Sequence, residues 1–189
     1  AGTVGGGGGG GGGGFTSPVD TTIYDSSGNV LFTVNGDVPN SWKSGLNIAG
    51  YVDIGTSATS IGTSAFTYNQ LTSVTIPNSV TSIGASAFER NQLTSIAIPN
   101  SVTDIGSYAF AYNQLTSVTI PDSVTSIGSV AFYYNLSLNT INCYVTKTVI
   151  DAGSGNPFYI SFGNSLLTIH ARATDGTWTE GSGLFIGGS

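Results

Sequence analysis

The sequence repeats itself every 22 residues through its middle. Units begin at Ile54, Ile76, Ile98 and Ile120, and the array reaches Ile141. A unit of this length cannot enclose a hydrophobic core alone, but stacked units can share one. The repeat therefore predicts a solenoid in which equivalent residues of successive coils meet. The recurring residues are Ile61, Ile83, Ile105 and Ile127, then Phe66, Phe88, Phe110 and Phe132, then Asn69, Asn91, Asn113 and Asn135.

Each unit reads as one strand followed by a returning segment. In Leu71–Ile76 the apolar and polar residues alternate, which points Val74 and Ile76 towards a core. Proline follows the strand and ends its ladder pairing. The glycines at Gly84, Gly106 and Gly128 share one position, which we attribute to the φ freedom that a tight bend needs. We expect a ladder of parallel strands and, beside it, stacked asparagines that satisfy buried turn backbone.

The motif itself resembles a known repeat. The best copies read LTSVTIPNSVTSIGASAFERNQ from Leu71 and LTSIAIPNSVTDIGSYAFAYNQ from Leu93. This pattern closely resembles the BspA-type leucine-rich repeat. The resemblance implies a mainly β fold, a short leucine-rich-repeat solenoid of 22-residue coils with β caps. It also implies a surface protein of bacterial, protozoan or viral origin, often associated with adhesion.

The flanks of the array differ from it. We expect a Gly-rich assembly segment at 1–17, a β-hairpin cap at 18–53, the repeat array at 54–141 and a C-terminal β cap at 142–189. The hairpin is predicted from strands at Thr21–Tyr24 and Val30–Val34, with Trp42 completing the cap. In the C-terminal cap, Leu166–Ile169 reads as a strand and Asp175-Gly176 as a turn before Trp178. The chain starts without Met, so we expect a processed product or a fragment.

Ten consecutive glycines precede the hairpin. Ordering them costs on the order of 10–20 kcal/mol, at roughly 1–2 kcal/mol per residue, and no side chains offset that cost. Glycine segments of neighbouring chains could supply the missing contacts, because backbones without Cβ atoms approach closely. We therefore expect an assembly element, with a flexible tether as the alternative. The residues are Gly5, Gly6, Gly7, Gly8, Gly9, Gly10, Gly11, Gly12, Gly13 and Gly14.

The composition narrows the function. Charged residues make up 7% of the chain, against about 25% in ordinary globular proteins, and the net charge is −6. Four basic residues are too few for phosphate-driven nucleic-acid binding, and no apolar run is long enough to predict membrane insertion. His170 has no nucleophile partner in the sequence, Cys143 is expected to be a small buried residue, and the carboxylates are scattered. We expect no catalytic residue, no metal site and no cofactor.

Two surface features remain as a candidate face for a ligand or partner. Tyrosines recur at one coil position, interrupted by Arg90, and exposed hydroxyls line the strands. The aromatics could stack on sugar rings or another chain, or could simply pack along the coil edge. The hydroxyl face could meet glycans or subunits, or simply be solvated. The named residues are Tyr68, Tyr112, Tyr133, Tyr134, Thr72, Thr75, Thr116 and Thr119.

These features favour a non-enzymatic structural or adhesive protein of an extracellular fibre or virion, similar to a phage tail fibre. Its partners would be copies of itself, other fibre or virion subunits, and a cell-surface glycan or protein. The alternative is a bacterial cell-surface adhesin or fibril subunit on a flexible glycine tether. A polysaccharide-active enzyme has the least support, because so few ionisable groups are present.

Overall fold

The computed structural model describes residues 20–144 and 168–171. The described residues form eleven strands and no helix, as the repeat predicts. The polyglycine tract, the Asp175-Gly176 turn and Trp178 lie outside them. The strands are β1 Thr21–Asp25, β2 Val30–Val34, β3 Ala49–Asp53, β4 Ser60–Ile61, β5 Gln70–Thr75, β6 Ser82–Ile83, β7 Asp104–Ile105, β8 Ser117–Ile120, β9 Ser126–Ile127, β10 Thr140–Cys143 and β11 Thr168–Ala171.

One parallel sheet of two-residue strands runs through the repeat in the order β4-β6-β7-β9. It pairs each isoleucine with the isoleucine 22 residues later, beginning with Ile61 and Ile83. This register buries the whole isoleucine row on one side of the sheet. The predicted parallel stacking of coils is therefore confirmed.

The longer strands do not form one continuous ladder. They belong to two sheets, β2-β1-β3-β5 near the start and β8-β10-β11 near the end, and residues 93–98 between them are not strand. Ala97 stands there where the flanking coils have Thr75 and Thr119, and alanine favours strands less than a β-branched residue. Segment 93–98 still stacks on the next coil, because Gln114 N–H donates to Leu93 O at 2.9 Å. Val74 and Ile96 are only half-buried, although both pack against the core.

The core is a stack of phenylalanines. The rings of Phe66, Phe88, Phe110 and Phe132 lie face to face, with centroids 5.2 to 5.5 Å apart and planes within 12° of parallel. All four are fully buried. Trp42 meets the first ring edge-on at 5.8 Å and so closes the stack at the N-terminal end, as the predicted cap requires.

An asparagine in each coil joins that coil to the one before it. The Asn113 Oδ1 accepts the N–H of Leu93 at 3.0 Å, one coil earlier. Its Nδ2 donates to the carbonyl oxygens of Phe88 at 2.9 Å and Phe110 at 3.1 Å. Asn91 and Asn135 repeat these bonds in their own coils. The buried amides thus satisfy turn backbone that no strand partner reaches, which confirms the expected ladder.

The repeated glycines are not explained by the φ freedom of a tight bend, so that prediction was wrong. Gly84, Gly106 and Gly128 do not have the positive φ angles of a tight bend. Each instead lies against the backbone of the preceding coil, so that a Cβ added at Gly84 would be only 2.6 Å from Thr63 N. Glycine is required here because there is no room for a side chain between coils.

The hairpin of β1 and β2 forms the N-terminal side of the structure. In its turn, the Asn29 amide and the backbone N–H groups beside it bind the Asp25 carboxylate and hold its pKa below the usual range.

Strand pairing joins both ends of the structure to the repeat. β1 also pairs with β3, which is parallel to β5 of the repeat. At the other end β11 lies parallel to β10, two residues further along the chain than the predicted strand.

The phenylalanine stack yields a quantitative prediction. Replacing the central Phe110→Ala should lower the free energy of unfolding by ~3–5 kcal/mol, since burial is lost and a cavity remains between two rings. Chemical denaturation measures the change. Tyr108→Ala, at a tyrosine that is 42% exposed in the same coil, is the control and should cost far less. A cost below about 1 kcal/mol for Phe110→Ala would contradict a shared core.

Candidate recognition surface

The aromatic position of each coil has an unusual backbone conformation. Tyr68, Arg90, Tyr112 and Tyr134 all have φ angles of 55–56°, in the left-handed region. This conformation costs roughly 1–2 kcal/mol for a residue with a Cβ. It is imposed by the stacking of coils, since it allows Tyr68 N–H to donate to Glu89 O, and Arg90 N–H to donate to Ala111 O. We call these four residues the Tyr–Arg row.

The side chains of the Tyr–Arg row stack on one another. The Arg90 guanidinium carbon lies 5.0 Å from the Tyr68 ring centroid and 4.1 Å from that of Tyr112. Beyond it, the Tyr112 and Tyr134 centroids are 4.9 Å apart. The faces of the inner side chains, Arg90 and Tyr112, are therefore covered by their neighbours in the row. Only the ring edge and hydroxyl of an inner tyrosine can contact a partner.

Tyr133 lies beside the row and changes its chemistry. Its ring meets Tyr112 edge-on at 5.3 Å and Tyr134 at 5.9 Å. Desolvation among these rings raises the pKa of the Tyr112 phenol above its usual range, and Tyr133 raises it further. The charge of Arg90 opposes both effects. The Tyr112 hydroxyl therefore stays a neutral hydrogen-bond donor over an extended pH range.

A row of amides runs alongside. Gln70 follows Tyr68 by two residues, with buried Asn69 between them, and Gln92 and Gln114 repeat the arrangement. The Gln70 Nε2 donates to Asn47 Oδ1 at 2.6 Å, so the amide row extends into the first coil. Amides of this kind offer both donors and acceptors to a ligand.

Exposed hydroxyls cover the neighbouring strand surface, which we call the hydroxyl face. Every member is exposed, and the predicted candidates Thr72, Thr75, Thr116 and Thr119 all belong to it. Thr72 Oγ1 donates to Gly50 O at 3.1 Å. The complete set is Thr72, Ser73, Thr75, Thr94, Ser95, Thr116, Ser117 and Thr119. The face carries no charge.

Three of the described charged side chains contact neighbouring groups. Arg90 lies 3.6 Å from Glu89, and Lys43 lies 3.8 Å from the centroid of Phe32. Within residues 20–144 and 168–171, no three His, Cys, Asp or Glu residues form a group that could hold a metal ion. Cys143 is buried in the core, as predicted. Of His170 the structure gives only the backbone, in β11.

The repeat pattern predicts the recurring tyrosines, but it does not reveal their left-handed backbone or the equivalent residue in the first coil. Gly45 N–H donates to Thr67 O, and one coil later Tyr68 N–H donates to Glu89 O, so Gly45 occupies the row position in the first coil. The two residues are 23 apart rather than 22, and this slip hides the equivalence. The spacing returns to 22 at the irregularity between Gly50 and Tyr51 of β3, after which Val52 pairs with Val74.

The ionisation of Tyr112 provides a test of the row. Arg90→Gln removes the opposing positive charge and should raise the pKa of Tyr112 further, whereas Tyr133→Phe should lower it. Nuclear magnetic resonance titration of labelled tyrosine ring carbons resolves the individual groups. Arg90→Lys keeps the charge and is the control, with a smaller expected change. A lower pKa of Tyr112 in Arg90→Gln would contradict the contacts described.

The comparisons with known proteins agree with the coils. The family model described as BspA-type leucine-rich repeat region, in six copies, matches residues 45–171, beyond both ends of 54–141. No curated protein matches the chain. Proteins of this family are typically surface-associated or secreted, which indicates a surface or adhesive repeat protein. No helix that could span a membrane occurs in the described residues. The match covers well over half of the sequence, and the chain therefore belongs to the BspA-type leucine-rich repeat family.

Proposed function

We propose that this chain is a non-enzymatic adhesive protein of an extracellular fibre or virion. Its repeat block would recognise neutral glycans on a surface, and its glycine tract would join it to other subunits. The single observation that carries the recognition role is the polar band formed by the Tyr–Arg row, the amide row and the hydroxyl face, in which Arg90 is the one charged member. These three run side by side across successive coils.

The chemistry of this band fits a neutral polyhydroxylated ligand. Hydroxyls and amides can each donate and accept, which matches the mixed hydrogen-bonding groups of a sugar. The lack of charge on the hydroxyl face disfavours an anionic partner, and Arg90 is already paired with Glu89 and two tyrosines. A ligand lying along the coil axis would meet the same three kinds of group once in every coil.

The recurrence of tyrosine and arginine at the row position supports a role beyond folding. In the first coil the same position is glycine, which adopts the left-handed conformation without cost. The left-handed conformation itself belongs to the coil, because Ser64, Ser86, Tyr108 and Val130 adopt it at a second position. The support for a partner surface comes from the side chains, since large aromatic groups recur at the row position and stack on one another.

The glycine tract supplies the second half of the proposal. Ten glycines gain no side-chain contacts, so a fixed conformation requires close packing against other backbones. Neighbouring copies in a fibre or virion provide such packing. A bacterial adhesin with a flexible tether is the alternative, and it is favoured if the chain remains monomeric with and without residues 1–14.

Glycan recognition is tested with the full chain on immobilised neutral polysaccharides, a glucan, a galactan and a mannan, beside an anionic polyuronate. We expect binding to a neutral polysaccharide that changes little with ionic strength, because no ion pairs contribute. The double variant Thr94→Val and Thr116→Val keeps the shape of both side chains but removes two exposed hydroxyls. Its affinity should fall about tenfold if each lost hydrogen bond is worth ~0.5–1.5 kcal/mol.

The matched control is Thr81→Val with Thr125→Val, two exposed threonines beside the sheet of short strands. It should bind as the unmodified chain does. Equal loss in both double variants, or binding to the polyuronate alone, would contradict recognition by the hydroxyl face. Recovery of cleaved polysaccharide would contradict the non-enzymatic role.

Assembly is tested by placing valine in the glycine tract. Gly9→Val with Gly10→Val should block association by steric exclusion and leave the repeat folded, as sedimentation and circular dichroism will measure. Gly187→Val with Gly188→Val adds the same apolar bulk near the other end of the sequence and is the control. Normal assembly of the Gly9 and Gly10 variant would show that the tract is not an assembly element.

A further inference from the structure

The stack of the Tyr–Arg row has an open end at Tyr68. One face of this ring is directed towards Arg90, whose guanidinium carbon is 5.0 Å from the ring centroid. On the other side the preceding coil offers Gly45, which has no side chain. Tyr68 is 54% exposed, and no other tyrosine among the described residues is more exposed. Every inner member of the row, in contrast, has neighbours along both directions of the stack.

The space over Gly45 is empty among the described residues. A Cβ built on this glycine would meet no atom within 4 Å. The Tyr68 ring therefore lacks the neighbour that every later coil would provide at this position. The result is a flat aromatic surface facing along the coil axis.

Polar groups border this surface. Asn47 and Gln70 lie two residues beyond Gly45 and Tyr68 respectively, and their side chains are hydrogen-bonded at 2.6 Å. Leu46, between Gly45 and Asn47, is exposed and adds an apolar edge. Lys43 lies over Phe32 and Trp42 of the cap, so its charge is directed to that side. The border therefore combines amides with an apolar edge.

We propose that the Tyr68 face is a stacking platform for one neutral pyranose ring, the terminal sugar of a glycan. The C–H groups of a pyranose carry partial positive charge and pack against the negative face of an aromatic ring. The Asn47 and Gln70 amides are placed to exchange hydrogen bonds with hydroxyls at the rim of that sugar. This inference rests on the proposed glycan recognition and assigns it a defined end subsite.

Two variants remove the platform in different ways. Tyr68→Ala deletes the ring. Gly45→Asn leaves the ring in place but puts a side chain over it, and asparagine tolerates the left-handed conformation, here with a φ of 70°. Both should weaken binding to the neutral polysaccharides roughly two- to tenfold. Tyr108→Ala, at an exposed tyrosine outside the row that also has a positive φ, is the control and should leave affinity unchanged.

A direct measurement accompanies the affinities. Glucose, galactose and mannose are titrated separately into the full chain carrying labelled tyrosines, and the ring signals are assigned by Tyr68→Phe and Tyr108→Phe. At least one sugar should shift the Tyr68 signals and leave those of Tyr108 in place. Gly45→Asn should suppress the shift without unfolding the chain.

The outcomes separate this subsite from the wider proposal. If Thr94→Val with Thr116→Val weakens polysaccharide binding but Tyr68→Ala and Gly45→Asn do not, the subsite is wrong and glycan recognition stands. If no polysaccharide binds and no sugar shifts the Tyr68 signals, both are wrong. Tyr68 signals that move with protein concentration alone would identify a second copy of the chain as the occupant and overturn the sugar platform.

Discussion

The described coils from Ile48 to Leu115 each depend on an asparagine that belongs to the next coil. The amide of Asn91 binds the Leu71 N–H and the Phe66 carbonyl of the coil before it, and Asn113 and Asn135 do the same further along. Without these bonds, buried turn backbone would lose its partners, and each lost partner costs about 1–3 kcal/mol. The phenylalanine stack and the left-handed turns both lie beside these amides. Their positions follow from the same coil-to-coil contact.

The spacing of the sequence was enough to predict this interior. In a solenoid, residues that recur at 22-residue intervals lie next to one another in successive coils. The spacing alone therefore predicts that Phe88 packs on Phe66 and that Asn91 lies near Asn69. Side-chain periodicity is informative here because a buried position tolerates few residue types. The two strands of the hairpin were equally predictable, since Asp25 and Gly28 lie between two β-prone runs.

What escaped prediction depends on distances between backbones. Gly84 was expected to relieve a bend, yet it makes room for the Thr63 backbone of another coil. No residue pattern distinguishes these two needs, because glycine serves both. The candidate surface was likewise only partly predictable from the sequence. The recurrence of tyrosine showed a shared position, but it could not show that Arg90 fills the space between Tyr68 and Tyr112. The distinction between inner and terminal rings therefore required the structure.

The close contact at the repeated glycines also restricts how the protein can change in length. Adding or removing a complete 22-residue unit returns every glycine, asparagine and phenylalanine to an equivalent neighbour, whereas a single inserted residue inside the array displaces all three ladders together. The two one-residue slips occur where coils lie at the margins, before Tyr68 and after Asn135. Variation in reach is thus confined to steps of one coil. A lineage of such proteins would be expected to differ in repeat number while keeping the end coils irregular.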